Sequence, residues 1–159
     1  MDYKALCNTF PGIVFFPGSA EYAESKGSYF SAFESELSPT CVVRPRNARE
    51  VANIVNDIRS SALSGHTQLA IKGGGHTTWA GSANIDKGIT LDLRNLTGVH
   101  VDSHTKIASL GAGERCRSVY EELGAQGLAV VGGRVSRVGV AGLITGGLLQ
   151  TYHGCRDSL

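Results

Sequence analysis

Between Ile71 and Gly81 the chain reads IKGGGHTTWAG: three consecutive glycines, a histidine, two threonines and the only tryptophan. A backbone without side chains can bring several N–H groups against one object. A concave array of such groups suits a phosphate or diphosphate. A tight turn or a close strand–strand contact would use the same glycines. Both readings stand for Gly73, Gly74 and Gly75, flanked by Lys72 and Thr77. His76 could act as a base, a metal ligand or a nucleophile. The sequence offers it no metal partners. His66 lies on the far side of a predicted strand. His100 and His104 fall in a predicted hairpin, where a spacing of four does not bring rings onto one face. Those three and His153 read as exposed. No serine or cysteine nucleophile motif stands nearby. The chemistry left to His76 is covalent: a ring nitrogen beside a bound cofactor can become attached to it.

A second glycine-rich segment, VGVAGLITGG, runs from Val138 to Gly147. The common nucleotide signatures are missing. No G-x-x-x-x-G-K-[ST] occurs, and GAGERC carries Cys116 where G-x-G-x-x-G needs its last glycine, so neither a P-loop nor a Rossmann site is supported.

The surrounding elements alternate between strand and helix. Residues 1–37 read as irregular, with short amphipathic pieces. TCVVRP, Thr40 to Pro45, reads as a buried strand stopped by proline. Asn47 then caps a helix, with Glu50 three residues on as in a capping box. Val51, Ile54, Val55 and Ile58 give that helix one apolar face, and Gly65 ends it. QLAIKG is a strand leading into the first glycine loop. ITLDLRNL, from Ile89, alternates as a half-buried strand does. GVHVDS and TKIASLGAG form a strand pair turning near Ser103 to Thr105. A helix from Arg115 to Leu123 buries Val119 and Leu123 and is closed by Gly124. LAVVGGR is a last strand, and the second glycine segment follows it as a loop.

With 159 residues, 42% hydrophobic and 18% charged, the chain is a globular domain able to bury a core. A formal net charge of +1 points to neither nucleic acid nor a membrane surface, and no apolar run is long enough to span a bilayer. The start, MDYKALCNTFPGIVFF, lacks the basic and apolar regions of a secretory signal, and the compartment stays open. Cys7, Cys41, Cys116 and Cys155 form no CxxC pair, so no metal site is expected and buried free thiols are the simpler reading.

The ordered set IKGGGH, GITLDLRNL, GAG and VYEELGAQGLAVVGGRVSRVGVAGLITGG, with the upstream VFFPGSAEY and SYFSAFESELSPTCVVRPRNAREVANIV, resembles the berberine-bridge-enzyme-like flavoproteins of the vanillyl-alcohol oxidase superfamily, above all their fungal members. The likeness runs over residues 10 to 149. It implies an α+β fold: a PCMH-type FAD-binding domain of two α/β subdomains, with the cofactor between them. On this resemblance residues 38–150 are that domain in part, with the second subdomain incomplete, and 151–159 are a divergent tail. Lys72, Gly73, Gly74, Gly75 and Thr77 match the loop that holds the FAD diphosphate through backbone amides. His76 matches the histidine linked covalently to the flavin methyl carbon. Gly133, Gly139, Gly142, Thr145 and Gly146 match the second flavin-contacting stretch. Some members add a cysteinyl bond two residues after the GG of GGR. Val135 stands there, so attachment through His76 only is expected.

Other departures are Lys72 for an arginine, Cys116 for an aromatic, and Ala141 for a glycine. Family members also continue far beyond 159 residues into a substrate domain, and QTYHGCRDSL does not resemble the expected continuation. The expectation is a C-terminally truncated product whose substrate domain is absent. The implied activity is hydride transfer from a substrate C–H to flavin, with reoxidation by dioxygen. The implied substrates are alcohols, sugars or secondary metabolites. The competing reading is a catalytically inactive flavin-binding or interaction module; a further one is a remnant that never folds stably.

Overall fold

The computed structural model describes residues 3–147. The tail at 151–159, with His153 and Cys155, lies outside them.

The chain begins with α1 (Tyr3–Thr9), β1 (Val14–Phe15), α2 (Ala20–Gly27) and α3 (Ala32–Ser35). It continues through β2 (Cys41–Val43), α4 (Ala48–Leu63), β3 (Leu69–Lys72) and β4 (Ile89–Asp92). A 3-10 turn at Leu93–Asn95 leads to the hairpin of β5 (Val99–Val101) and β6 (Ala108–Leu110), then to α5 (Cys116–Ala125) and α6 (Val140–Thr145).

A four-stranded sheet has the order β1-β2-β4-β3. β4 pairs in parallel with β2 on one side and β3 on the other, and β1 is the antiparallel edge. Residues 1–37, expected to be irregular, therefore supply a strand of this sheet and three helices. Val14 pairs with Val43, and α2 and α3 are capped by the hydroxyls of Ser19 and Ser31. Strand and helices this short leave little periodicity to read.

Ile54 and Ile58 of α4 are fully buried against Cys41, Val43, Ile89 and Leu91, with Leu6 of α1 closing the cluster. Each isoleucine withdraws enough apolar surface to contribute about 2 kcal/mol. The Asn47 side chain accepts from the Glu50 N–H at 2.9 Å, while the Glu50 carboxylate reaches back to the Arg46 N–H at 2.7 Å. The capping box forms, one residue upstream of its usual return bond. Gly65, at φ 75°, ends the helix as expected. The apolar face is narrower than the sequence pattern indicates: Val55 is exposed.

β4 corrects a second expectation. It is not half-buried. All four of its residues are buried, because strands flank it on both sides and the sheet is covered on both faces. Thr90 bonds Asn84 at 2.8 Å, and Asp92 meets Ser25, Lys72 and Arg94. The polar positions of the alternation are a buried network, not a solvated face.

The second cluster is smaller: Cys116, Val119, Leu123 and Val140, with the β5–β6 hairpin packed against it. α5 runs past Gly124 to Ala125, and the chain reverses at Gly127, φ 67°. The expected strand LAVVGGR is absent. Gly133 is held by α5 side chains instead: Tyr120 Oη donates to its carbonyl at 2.8 Å, and its N–H donates to Cys116 Sγ at 3.3 Å. No described strand lies alongside to pair with it. The second glycine segment is largely the helix α6, not a loop. Gly139 stands at its N-cap and Gly146 at its C-cap.

Candidate flavin-binding groove

The first glycine loop leaves the parallel strand β3 at its C-terminal end, where open parallel sheets bind ligands. It meets the start of α6 so closely that the two backbones touch. A Cβ on Gly74 would lie 2.5 Å from Gly139 Cα, and one on Gly139 would lie 2.6 Å from Gly74 Cα. Part of the glycine signal is thus a contact between two main chains. Gly75 has φ 65°, and a Cβ there would sit 3.1 Å from the Tyr29 ring. The main-chain N–H groups of Gly74, Gly75 and Thr77 make no hydrogen bond to another described residue. Bare backbone with unpaired donors is the chemistry an anion needs.

Between the two glycine segments lies a groove of about 730 Å³. It is lined by Gly73, Gly74, Gly75, His76, Thr77, Gly133, Gly139, Gly142, Thr145 and Gly146, and also by Ile71, Ser82, Ala83, Arg134, Val135, Val138 and Leu143. Positions far apart in sequence are brought to one cavity.

Lys72 is the exception. Its side chain turns into the protein and is buried. The ammonium donates to the Ser25 carbonyl at 2.5 Å and to Ser28 Oγ at 2.7 Å, lies 3.6 Å from Asp92 Oδ2, and sits 3.8 Å from the centre of the Tyr29 ring. The reason is strand alternation: Ile71 faces the groove, so Lys72 faces away. Burial pushes its pKa down to about 8, opposed by the Asp92 carboxylate. Charge on this lysine reaches the groove only through the protein. Arg94 completes the cluster, bridging Asp92 at 2.9 Å and Glu24 at 2.7 Å.

His76 is half-buried, its imidazole stacked on Phe30 with ring centres 4.2 Å apart and planes 13° from parallel. Thr77 Oγ1 accepts from Ser82 Oγ at 3.0 Å. The loop beyond is fixed by Glu34, a buried carboxylate that accepts from the N–H groups of Gly81, Ser82 and Ala83 at 3.3, 3.1 and 2.8 Å. Behind Gly74, Arg115 reaches the Gly74 carbonyl at 3.4 Å; burial, then the charges of Arg137 and Arg94, pull its pKa down.

Tyr29, Phe30, Glu34 and Asp92 are the residues sequence reading missed. Asp92 carried a signal, as a carboxylate at the end of a strand with no other charge. Tyr29, Phe30 and Glu34 carried none, because their segment showed no periodicity.

The pattern of the FAD-binding domain family matches residues 39–155. The chain belongs to that family. It is 38% identical over 155 residues to a FAD-dependent monooxygenase of Emericella nidulans, covering 98% of this chain and 32% of that protein. A FAD-dependent monooxygenase of Aspergillus calidoustus is also 38% identical, over 90% of this chain and 27% of the relative. The chain thus spans about a third or less of these relatives' length. Among solved structures, 6-hydroxy-D-nicotine oxidase of Arthrobacter nicotinovorans superposes with a TM-score of 0.69 at 27% identity, over 83% of this chain and 28% of that one. Wild-type BBE-like 1 of Physcomitrella patens superposes with 0.69 at 25% identity, over 87% and 29%. The FAD-binding fold and the berberine-bridge-like kinship expected from the sequence are both met, and the fold is mixed α and β. FAD is the cofactor of the family, and the bare, donor-rich groove fits its diphosphate.

Proposed function

We propose that this chain is the cofactor-holding part of a flavin-dependent oxidase-type oxidoreductase, with the FAD diphosphate on the amides of Gly73, Gly74, Gly75 and Thr77 and the flavin tethered through His76 alone. The observation that carries the reading is the groove itself. Two glycine segments more than sixty residues apart line one cavity with unpaired N–H groups and a single imidazole. Val135 lines the same groove with no nucleophilic atom, which supports one bond and not two. Attachment through His76 would exchange a cofactor methyl C–H and the imidazole N–H for one C–N bond, with dioxygen taking up the two electrons and two protons as hydrogen peroxide. The chemistry a bound FAD would supply is acceptance of hydride from a substrate C–H, with dioxygen as the final oxidant. The protein supplies position and anion binding. The substrate is a small molecule, an alcohol, sugar or secondary metabolite, in keeping with relatives that carry oxidase and monooxygenase names.

A second reading, a flavin-binding module without turnover of its own, is favoured by one observation. Among the described residues lining the groove, only His76 carries an imidazole, carboxyl, thiol, amine or phenol side chain. The test serves both readings. Chain purified with FAD should carry a yellow colour that survives acid precipitation, and His76→Ala should lose it. Flavin still bound to denatured His76→Ala would refute the tether. Peroxide release with any alcohol or sugar distinguishes the enzyme from the module.

A further inference from the structure

We propose that Phe30 is the positioning residue for His76: it holds the imidazole in one plane and one rotamer, so that a ring nitrogen is presented edge-on to the flavin methyl carbon. The inference rests on the reading of His76 as the attachment point.

Phe30 is gripped from both sides. Its N–H donates to the carbonyl of Gly75, the residue before His76, at 2.9 Å. Tyr29 turns inward beneath Gly75 and donates its hydroxyl to the Ala83 carbonyl at 2.8 Å. Ser31, on the other side, caps α3. The backbone at Phe30 is therefore held at both ends, and its ring lies nearly parallel to the imidazole at 4.2 Å. The reactive lone pair of an imidazole nitrogen lies in the ring plane, so a partner that fixes the plane fixes the direction in which the nitrogen can attack. Yet Phe30 remains 62% exposed, so burial gives little reason for an aromatic at this place. The stack on His76 is the one specific ring contact it makes among the described residues. A reacting group misplaced by about 1 Å can slow its step by about a hundredfold, so holding the imidazole matters more for attachment than for stability.

Phe30→Leu keeps apolar bulk and removes the flat partner; Phe30→Tyr restores it. In the chain without flavin, the imidazole C–H protons of His76 should resonate upfield through the phenyl ring current, and should lose that shift in Phe30→Leu but keep it in Phe30→Tyr. With FAD added, covalent flavin should form about tenfold more slowly in Phe30→Leu. Reversible FAD binding and the melting temperature should be unchanged, and Phe30→Tyr should recover the rate. Attachment that depends on His76 yet proceeds at the original rate in Phe30→Leu overturns the inference alone. So does a loss that Phe30→Tyr fails to recover, or one matched by an equal loss of reversible binding, since a merely structural role would give that. Covalent flavin retained in His76→Ala, or absent from the unsubstituted chain, overturns the underlying reading and the inference with it.

Discussion

On its inner side the first glycine loop rests on Tyr29 and the Lys72–Asp92–Arg94 cluster; on its outer side it faces an open groove. Inside, polar atoms are paired: Lys72 has two close oxygen acceptors and a carboxylate, and Asp92 has Ser25, Arg94 and Lys72. Outside, the amides of Gly74, Gly75 and Thr77 meet no partner among the described residues, and the glycines have no side chains to cover them. A buried polar group without a partner costs free energy, so the inner side must be complete for the chain to fold. The outer side can stay incomplete because it borders open space. Structure is built on one side of the strand end, and binding capacity is left on the other.

The sharpest way to break this contrast is to add one methyl group between the two glycine segments. Gly74→Ala should push the loop away from Gly139, cost about 3 kcal/mol, and lower the denaturation midpoint together with FAD affinity. A normal midpoint would show that the two backbones do not touch.

Lys72→Met comes next. It leaves Asp92 short of a partner in a buried site and should cost about 2–3 kcal/mol at neutral pH. FAD affinity should change less than stability, since the ammonium does not line the groove. The pH dependence sharpens the point. The folded value of about 8 lies below the ordinary lysine value of about 10.4, so between the two the unfolded chain binds more protons here. Stability from this site therefore rises with pH across that window. The burial cost is fully present below it. The margin of the unsubstituted chain over Lys72→Met should widen from about pH 8 to about pH 10, read by denaturant titration. Titration of Cys41, which burial pushes up to about 12, is common to both proteins and largely cancels. A shrinking margin would mean that the Asp92 charge outweighs burial.

Glu34→Gln replaces a charged acceptor of three backbone N–H groups with a mixed donor and acceptor. It should cost about 1–2 kcal/mol and free the Gly81–Ala83 loop, seen as faster amide exchange there than in α4. Uniformly faster exchange would place the damage in the core instead.

The smallest expected effect carries opposite signs. A Cβ on Gly142 meets nothing within 4 Å and sits inside α6. Gly142→Ala should raise stability by about 0.5–1 kcal/mol through helix propensity. Because Gly142 lines the groove, the same change should weaken FAD binding, measured by flavin fluorescence quenching. Unchanged affinity would move the cofactor away from α6.

The same division runs through what could be read before folding. The α4 cap and its buried Ile54 and Ile58, strands β2 and β3, and the β5–β6 hairpin follow from periodicity and turn residues a few positions apart. The groove-lining glycines and His76 were legible as a motif set. The short helices at 20–27 and 32–35 were not, because four to eight residues with mixed composition carry no period. Residues 128–134 read as a strand for their valines, but a strand needs a neighbour, and the side chains of Tyr120 and Cys116 hold Gly133 instead.

Local sequence determined which backbone is bare, which residue is the lone imidazole in it, and where the long periodic helix α4 and its cap form, since those depend on near neighbours. Only the tertiary structure decided that Lys72 points inward to Asp92, that Gly74 touches Gly139, and that Phe30 lies on His76. Each of those contacts joins residues distant in the chain, and the direction a side chain takes from a strand end is set by the packing on either face.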